Sequence, residues 1–243
     1  ESAGSYNYAA PLNGGTPLAT TAYSDTTAVS GTTYHYEVRA LVIGSGSQQI
    51  EGDSSAETSA TTADATTPTG VTINNPGANL RGTVSLSGTA TDTISGIASV
   101  TFEYKLSSGS VWTTACADTT APYACDADTT SVTDDLYDLR VRATDGAGNE
   151  TLSSELTGIR VDNTVPAVSL TDPGEHLRQT IALAVTATDA GSGVASVLVE
   201  RKLSAGSSWT TVCTDTTTPY SCSLDTTTVI DGEYDFRATA TDV

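Results

Sequence analysis

Four cysteines, two histidines and 29 acidic residues are the side chains of this 243-residue chain on which chemistry could rest. The cysteines form two groups, Cys116/Cys125 and Cys213/Cys222, each enclosing eight residues and a Thr-x-Pro-Tyr stretch. Four cysteines allow three pairings. The repeated spacing favours one local disulfide in each half, which contributes on the order of 3 kcal/mol through the unfolded state. Lasting disulfides need an oxidising compartment, so the chain is expected to be secreted or displayed at a cell surface. A zinc site would want tighter spacing and a nearby histidine. His35 lies between Tyr34 and Tyr36, and His176 follows Pro173-Gly174-Glu175. Neither accompanies a nucleophile motif, and Gly-x-Ser-x-Gly, a Walker loop and His-Glu-x-x-His are all missing. A carboxylate pair of the glycosidase kind needs aromatic sugar platforms and long loops, whereas only 6% of the residues are aromatic. No catalytic activity and no catalytic residue are expected. The chemistry left to the acids is cation binding. Two sets of hard oxygen ligands, Asp64, Asp92, Asp145 and Asn149, and Asp162, Asn163, Asp189 and Asp242, suit calcium if the fold gathers each set.

Composition says what kind of elements must do the gathering. Serine and threonine make up about 30% of the chain, there are two lysines and no methionine, and helix formers are scarce. The fold class is therefore all-β. A net charge of -19 with ten basic residues excludes a phosphate-backbone binder, so no nucleic acid partner is expected. No stretch approaches the roughly 20 apolar residues of a membrane span, and nothing at Glu1 reads as a signal sequence.

Internal repetition organises the rest. Cys116 and Cys213, Trp112 and Trp209, Pro122 and Pro219, and Tyr137 and Tyr234 each stand 97 positions apart, and the offset holds from Leu80/Leu177 to Asp145/Asp242. Each copy alternates with period two, as in Val84, Leu86, Gly88 and Ala90 against Ile181, Leu183, Val185 and Ala187. Turn signals such as Ser95-Gly96, Ser108-Gly109, Asp145-Gly146 and Pro173-Gly174 separate the runs. About seven short strands per 100 residues is the pattern of an immunoglobulin-like sandwich.

Two resemblances sharpen this reading. Asp-x-Thr-x-Pro at Asp64 and Asp162, Ser-Gly-x-Ala-Ser-Val at Ser95 and Ser192, and Ala-Thr-Asp-Gly-Ala-Gly-Asn at Ala143 resemble bacterial immunoglobulin-like repeats of very large secreted and surface proteins. Gly-Thr-x-Tyr-x-x-x-Val-x-Ala at Gly31 resembles the last strands of a fibronectin type III domain. That second likeness implies a tyrosine-corner role for Tyr34, with Tyr36, Val38 and Ala40 facing inward. The expected organisation is tandem sandwiches in a row: a partial fibronectin type III-like domain at 1–63, an immunoglobulin-like module at 64–163, and another at 164–243 lacking its last strand. Both ends read as cut from a longer chain, or as completed by strands of neighbouring molecules.

In such a sandwich the loops after the second and sixth strands share the end at which the chain enters, which places each acidic set at a junction, where in some giant adhesins calcium stiffens the rod. Asp and Gly-Asn also make turns without any ion. Trp112 and Trp209 are expected to cover the disulfides and the sheet edge, and Lys105 and Lys202 to point outward with Glu103 and Glu200. The expected function is a non-catalytic, structural or adhesive stalk, spacer or filament wall of an exported bacterial protein. Its partners would be neighbouring modules, identical subunits, or a cell-surface glycan or protein. Accessory modules of a secreted polysaccharide-degrading enzyme and a phage tail or virion decoration are the rival readings. The redox expectation has a direct check: thiol titration of the unfolded, unreduced chain finds no free cysteine, and four free thiols would remove both the bonds and the argument for secretion.

Overall fold

A computed structural model of the chain describes residues 12, 13, 18, 20–43 and 49–243. The Ser/Gly loop at 44–48 and the segment following Glu1 lie outside the described residues. The fold is all-β. Spatial proximity divides the chain into two compact units, one of residues 1–71, 89–100 and 142–152, the other of residues 72–88, 101–141 and 153–243.

Four short strands open the first unit: β1 (Thr33–Tyr36), β2 (Arg39–Ile43), β3 (Gln49–Ser54) and β4 (Thr58–Thr61). They form two antiparallel pairs, β1 with β4 and β2 with β3. The Tyr34 hydroxyl accepts the Val29 N–H at 2.8 Å, the backbone tie that a tyrosine corner calls for. Val38 and Ala40 depart from expectation. Extended pairing stops at Tyr36 and restarts at Arg39 against a different strand, so the alternation is reset; Val38 is 71% exposed and Ala40 is exposed as well.

The middle repeat contains β5 (Thr69–Ile73), β6 (Asn79–Leu80), β7 (Thr83–Thr91), β8 (Ile97–Leu106), β9 (Thr113–Asp118), β10 (Ala124–Asp128), β11 (Asp135–Asp145), β12 (Glu150–Leu152) and β13 (Leu156–Val161). One sheet has the order β10-β7-β5; the other has the order β6-β13-β11-β8-β9, with β12 also on β11. The last repeat contains β14 (Ala167–Leu170), β15 (Thr180–Thr188), β16 (Val194–Leu203), β17 (Thr210–Asp215), β18 (Ser221–Asp225) and β19 (Tyr234–Asp242), in sheets β14-β15-β18 and β17-β16-β19. Period-two alternation decides which side chains enter the core. In the last repeat Leu183, Val185, Val197, Val199, Cys222 and Leu224 form the buried cluster, with Phe236, Ala238 and Ala240 packed on it.

Both disulfides are formed, Cys116 to Cys125 and Cys213 to Cys222. Each joins a strand of one sheet to a strand of the other, β9 to β10 and β17 to β18, so a bond that is local in sequence crosslinks the two layers. The loops between the paired cysteines carry cis peptide bonds at Ala121-Pro122 and Thr218-Pro219. The tryptophans do something other than expected. Trp112 lies under the Arg140 guanidinium at 4.0 Å, with the Lys105 ammonium at 5.2 Å; Trp209 repeats this with Arg237 at 4.3 Å and Lys202 at 5.4 Å. The ring closes over a face expected to be open, which corrects the outward placement of Glu103. That carboxylate is buried and takes the Arg140 Nε–H at 2.8 Å, while Lys105 pairs with Asp138 at 2.6 Å.

Candidate cation site and repeat junction

In the first unit, the strand ends bring three carboxylates together. Asp92 follows β7, Asp145 closes β11, and Asp64 sits in the linker ahead of β5; their nearest oxygens all lie within 4.8 Å of one another. Each is held by a turn of its own making, as short acidic side chains do when they cap nearby N–H groups. Asp92 Oδ1 accepts the N–H groups of Ile94, Ser95 and Gly96 at 3.1, 2.9 and 2.9 Å. Asp145 Oδ1 accepts those of Ala147 and Asn149 at 2.9 and 2.8 Å. Asp64 accepts the Thr66 N–H at 2.9 Å and the Ser95 hydroxyl at 2.7 Å.

Asn149 plays a different part from the one expected. Its amide nitrogen, not its oxygen, faces the acids, donating to Asp145 Oδ2 at 2.8 Å and to the carbonyls of Asp64 and Thr66 at 3.2 and 3.0 Å. It therefore ties the linker to the end of β11. The hydroxyl of Thr66, with that of Ser95, holds the Asp64 carboxyl down at about 2. Burial pushes Asp145 up, but hydrogen bonds from the Asn149 side chain and from the Asn149 and Ala147 N–H groups outweigh it and keep that carboxyl below its ordinary value. Asp64 and Asp145 thus stay ionised close to each other, with the Asp92 carboxyl beside them, an arrangement that favours a cation of hard-oxygen preference.

The second set, in the second unit, is arranged otherwise. Asp162 is buried and accepts the Ser192 N–H; a Cβ on Gly191 would overlap its carboxylate, so this loop needs glycine where the middle repeat has Ile94. Asp189 accepts the N–H groups of Gly191 and Gly193 through Oδ1 at 2.9 and 2.8 Å, while its buried Oδ2 has no hydrogen-bond partner. Asp242 has a 5% exposed side chain and is met by Arg81 of the middle repeat at 2.6 Å. Asn163 is turned away from the acids: its Oδ1 accepts from Gly82 N–H at 2.9 Å and Thr129 Oγ1 at 3.1 Å, and its own N–H donates to Asp134 at 2.9 Å. Among the described residues Asp162, Asp189 and Asp242 do not make a close trio like the first. Arg81 is the residue that sequence reasoning passed over. Its 161-residue separation from Asp242 leaves no local signal, although its place just ahead of β7 was visible.

The profile of the bacterial Ig domain matches residues 68–141 and again residues 166–238. The chain belongs to the bacterial Ig domain family. No curated protein matches it. Among solved structures it is similar to the fibronectin(III)-like modules of CbhA from Clostridium thermocellum, at 21% identity over 71% of this chain and 85% of that one, with a TM-score of 0.42. It is also similar to the FN1-FN3 domains of chicken CNTN1, at 15% identity over 86% and 70% of the two chains and a TM-score of 0.41. A tetra-tandem repeat from the extending region of a large adhesion protein aligns at 22% identity over 92% of this chain and 56% of that one, with a TM-score of 0.30.

The acid site of this Ig tandem has a defined pH signature. A folded-state value of about 2 for Asp64, against an ordinary 3.8, means that its contribution to stability is complete above pH 4 and disappears as the pH falls through 2. Amide exchange at Thr66, whose N–H is held by Asp64, should therefore accelerate relative to its intrinsic rate only below about pH 4. Asp64→Asn should remove that dependence; a midpoint near pH 4 or above in the parent chain would show that Asp64 is not held as described.

Proposed function

We propose that this chain is a non-catalytic spacer of an exported bacterial surface or filament-forming protein, in which successive Ig domains are held at fixed junctions. The observation that carries this reading is the pinning of the linker between the two repeats from both sides: Asn163 caps the Gly82 and Thr129 end of the middle repeat, Asp162 binds the Ser192 loop of the last, and Arg81 reaches Asp242. A linker whose backbone and side chains are bonded on both sides transmits orientation, where a Gly/Ser-rich one would not. Two inter-sheet disulfides and a strongly negative surface fit an oxidising, extracellular setting in which a repeating protein must stay soluble and self-avoiding. Backbone ¹⁵N relaxation on the full chain tests the junction. The two repeats should tumble with one correlation time, and Arg81→Ala with Asn163→Ala should separate their rates; independent tumbling in the parent chain would refute a rigid spacer.

We further propose that Asp64, Asp92 and Asp145 take calcium. Oxygens within 4.8 Å of one another can share an ion whose oxygen ligands stand about 2.3–2.6 Å away. The homologous position supports this reading: there Asp242 is supplied with a cation by Arg81, and the middle repeat's trio receives no such arginine among the described residues. Calorimetry should report one weak site, with Kd in the roughly 10⁻⁴ to 10⁻³ M range of extracellular modules. Asp92→Ala should abolish it. An unchanged heat in Asp92→Ala, or no heat at all in the parent chain, would reduce the trio to turn formers.

A further inference from the structure

The two Ig repeats fill the space between their sheets with different side chains. On one side of the sandwich the exchange is balanced. Phe102 and Val141 in the middle repeat stand where the last repeat has Val199 and Ala238. Gly88 makes room for them, since a Cβ there would meet Val141 at 3.3 Å and the Phe102 ring at 3.5 Å; the last repeat has Val185 at that place. Toward β9 and β10 the exchange at four wall positions runs one way. Val84, Ala115, Ala127 and Leu139 stand where the last repeat has Ile181, Val212, Leu224 and Phe236. In the last repeat Leu224 belongs to the buried cluster, and the other three pack on it.

The smaller side chains leave a cavity of about 310 Å³ between the sheets of the middle repeat, all of it within the second unit. Its walls include the buried Leu80, Leu86, Tyr137, Leu139, Ile159 and Val161. Tyr104, where the last repeat has Arg201, adds a ring to the wall without closing it, edge-on to Tyr137 with 5.8 Å between centroids. The cavity opens beside β10, where Thr114, Asp126, Asp128 and Ser131 are exposed. The Thr130 hydroxyl and N–H hold the Asp128 carboxyl below its ordinary value, so the mouth carries negative charge. Native cores keep few voids larger than a water molecule, and an empty one costs stability in proportion to its volume. An apolar void of about 150 Å³ already takes benzene rather than water. This cavity is about twice that size and lies at the lower end of the range of ligand pockets.

We propose that the middle repeat binds a small uncharged aromatic molecule, of roughly two fused rings, between its sheets. The Leu86, Leu139 and Ile159 side chains bury the faces of the ligand, and the Tyr104 and Tyr137 rings offer it edge-to-face contacts. The acids at the mouth repel an anionic headgroup, which sets a fatty acid aside. The last repeat, with leucine, valine, isoleucine and phenylalanine at the four wall positions, does not take this ligand.

Indole is the probe, added to the intact, oxidised chain at concentrations up to about 1 mM. The methyl resonances of Leu86, Leu139 and Ile159 should shift along one saturating curve, while those of Leu183 and Leu224 stay in place. Ala127→Leu installs the residue of the last repeat; it should weaken indole binding at least about tenfold and raise the unfolding midpoint measured without indole. Ala115→Val, on the opposite wall, makes the same test where Ala127→Leu disturbs the neighbouring disulfide. Indole-3-carboxylate, the same ring with a negative charge, should bind at least about tenfold more weakly at neutral pH. No methyl shift at about 1 mM indole, shifts that survive in both alanine variants, shifts confined to Trp112 or to the last repeat, or equal binding of the carboxylate would overturn the proposal. None of these outcomes bears on the spacer reading, which stands or falls on the junction.

Discussion

A strand that delivers a carboxylate to the buried end of a sandwich must have that charge met, and the junctions in this chain follow from that constraint. Asp145 and Asp242 close homologous strands, and both are buried. An uncompensated buried charge is far costlier than the gain from any single surface contact. The middle repeat meets it with N–H groups of its own turn and with Asn149, which also draws in the linker. The last repeat meets it with a guanidinium from the domain before it. The same requirement therefore shapes the linker at one repeat and the domain contact at the other.

The sandwiches themselves are thin-cored, because so few side chains are large. The low aromatic content puts valine, leucine and a single phenylalanine, Phe102, among the fully buried side chains. Such a core leaves work for crosslinks. The β9-β10 and β17-β18 disulfides hold the layers together where hydrophobic area is limited. On the opposite face, Trp112 with Arg140 and Glu103, and Trp209 with Arg237 and Glu200, build a second, polar layer of packing that needs no apolar residues beyond the ring. Serine and threonine can be abundant in these strands because these two devices, not a large core, fix the sheets.

How much of this was legible in the residues follows from the range of each interaction. The 97-residue offset and the period-two runs located the strands of both repeats, and the position of aspartate at strand ends was enough to assemble Asp64, Asp92 and Asp145. Turn chemistry is local, so it reads from sequence. Asn149 meets Asp145 through its amide nitrogen, a detail that spacing could not supply, since spacing does not say which end of an amide faces inward. Glu103 was expected on an open face because alternation alone marks it as outward, and it is Trp112, in the connection just ahead of β9, that closes that face. Val38 and Ala40 failed for a simpler reason: alternation has meaning only within one uninterrupted strand, and β1 ends at Tyr36.

Two near-copies in one chain act as a control on each other, and their differences carry more information than either alone. Where the residue is the same, as at Thr129 and Thr226, the hydrogen bonds to the facing turn carbonyl are the same to within 0.1 Å. Where the residue changes but the context does not, the backbone wins: glutamine takes the left-handed φ that glycine has at the homologous turn. Where the residue is kept but the context differs, exposure changes, as Asp138 and Asp235 show. The turn geometry therefore belongs to the Ig framework and tolerates a change of residue, whereas burial follows what each strand is packed against.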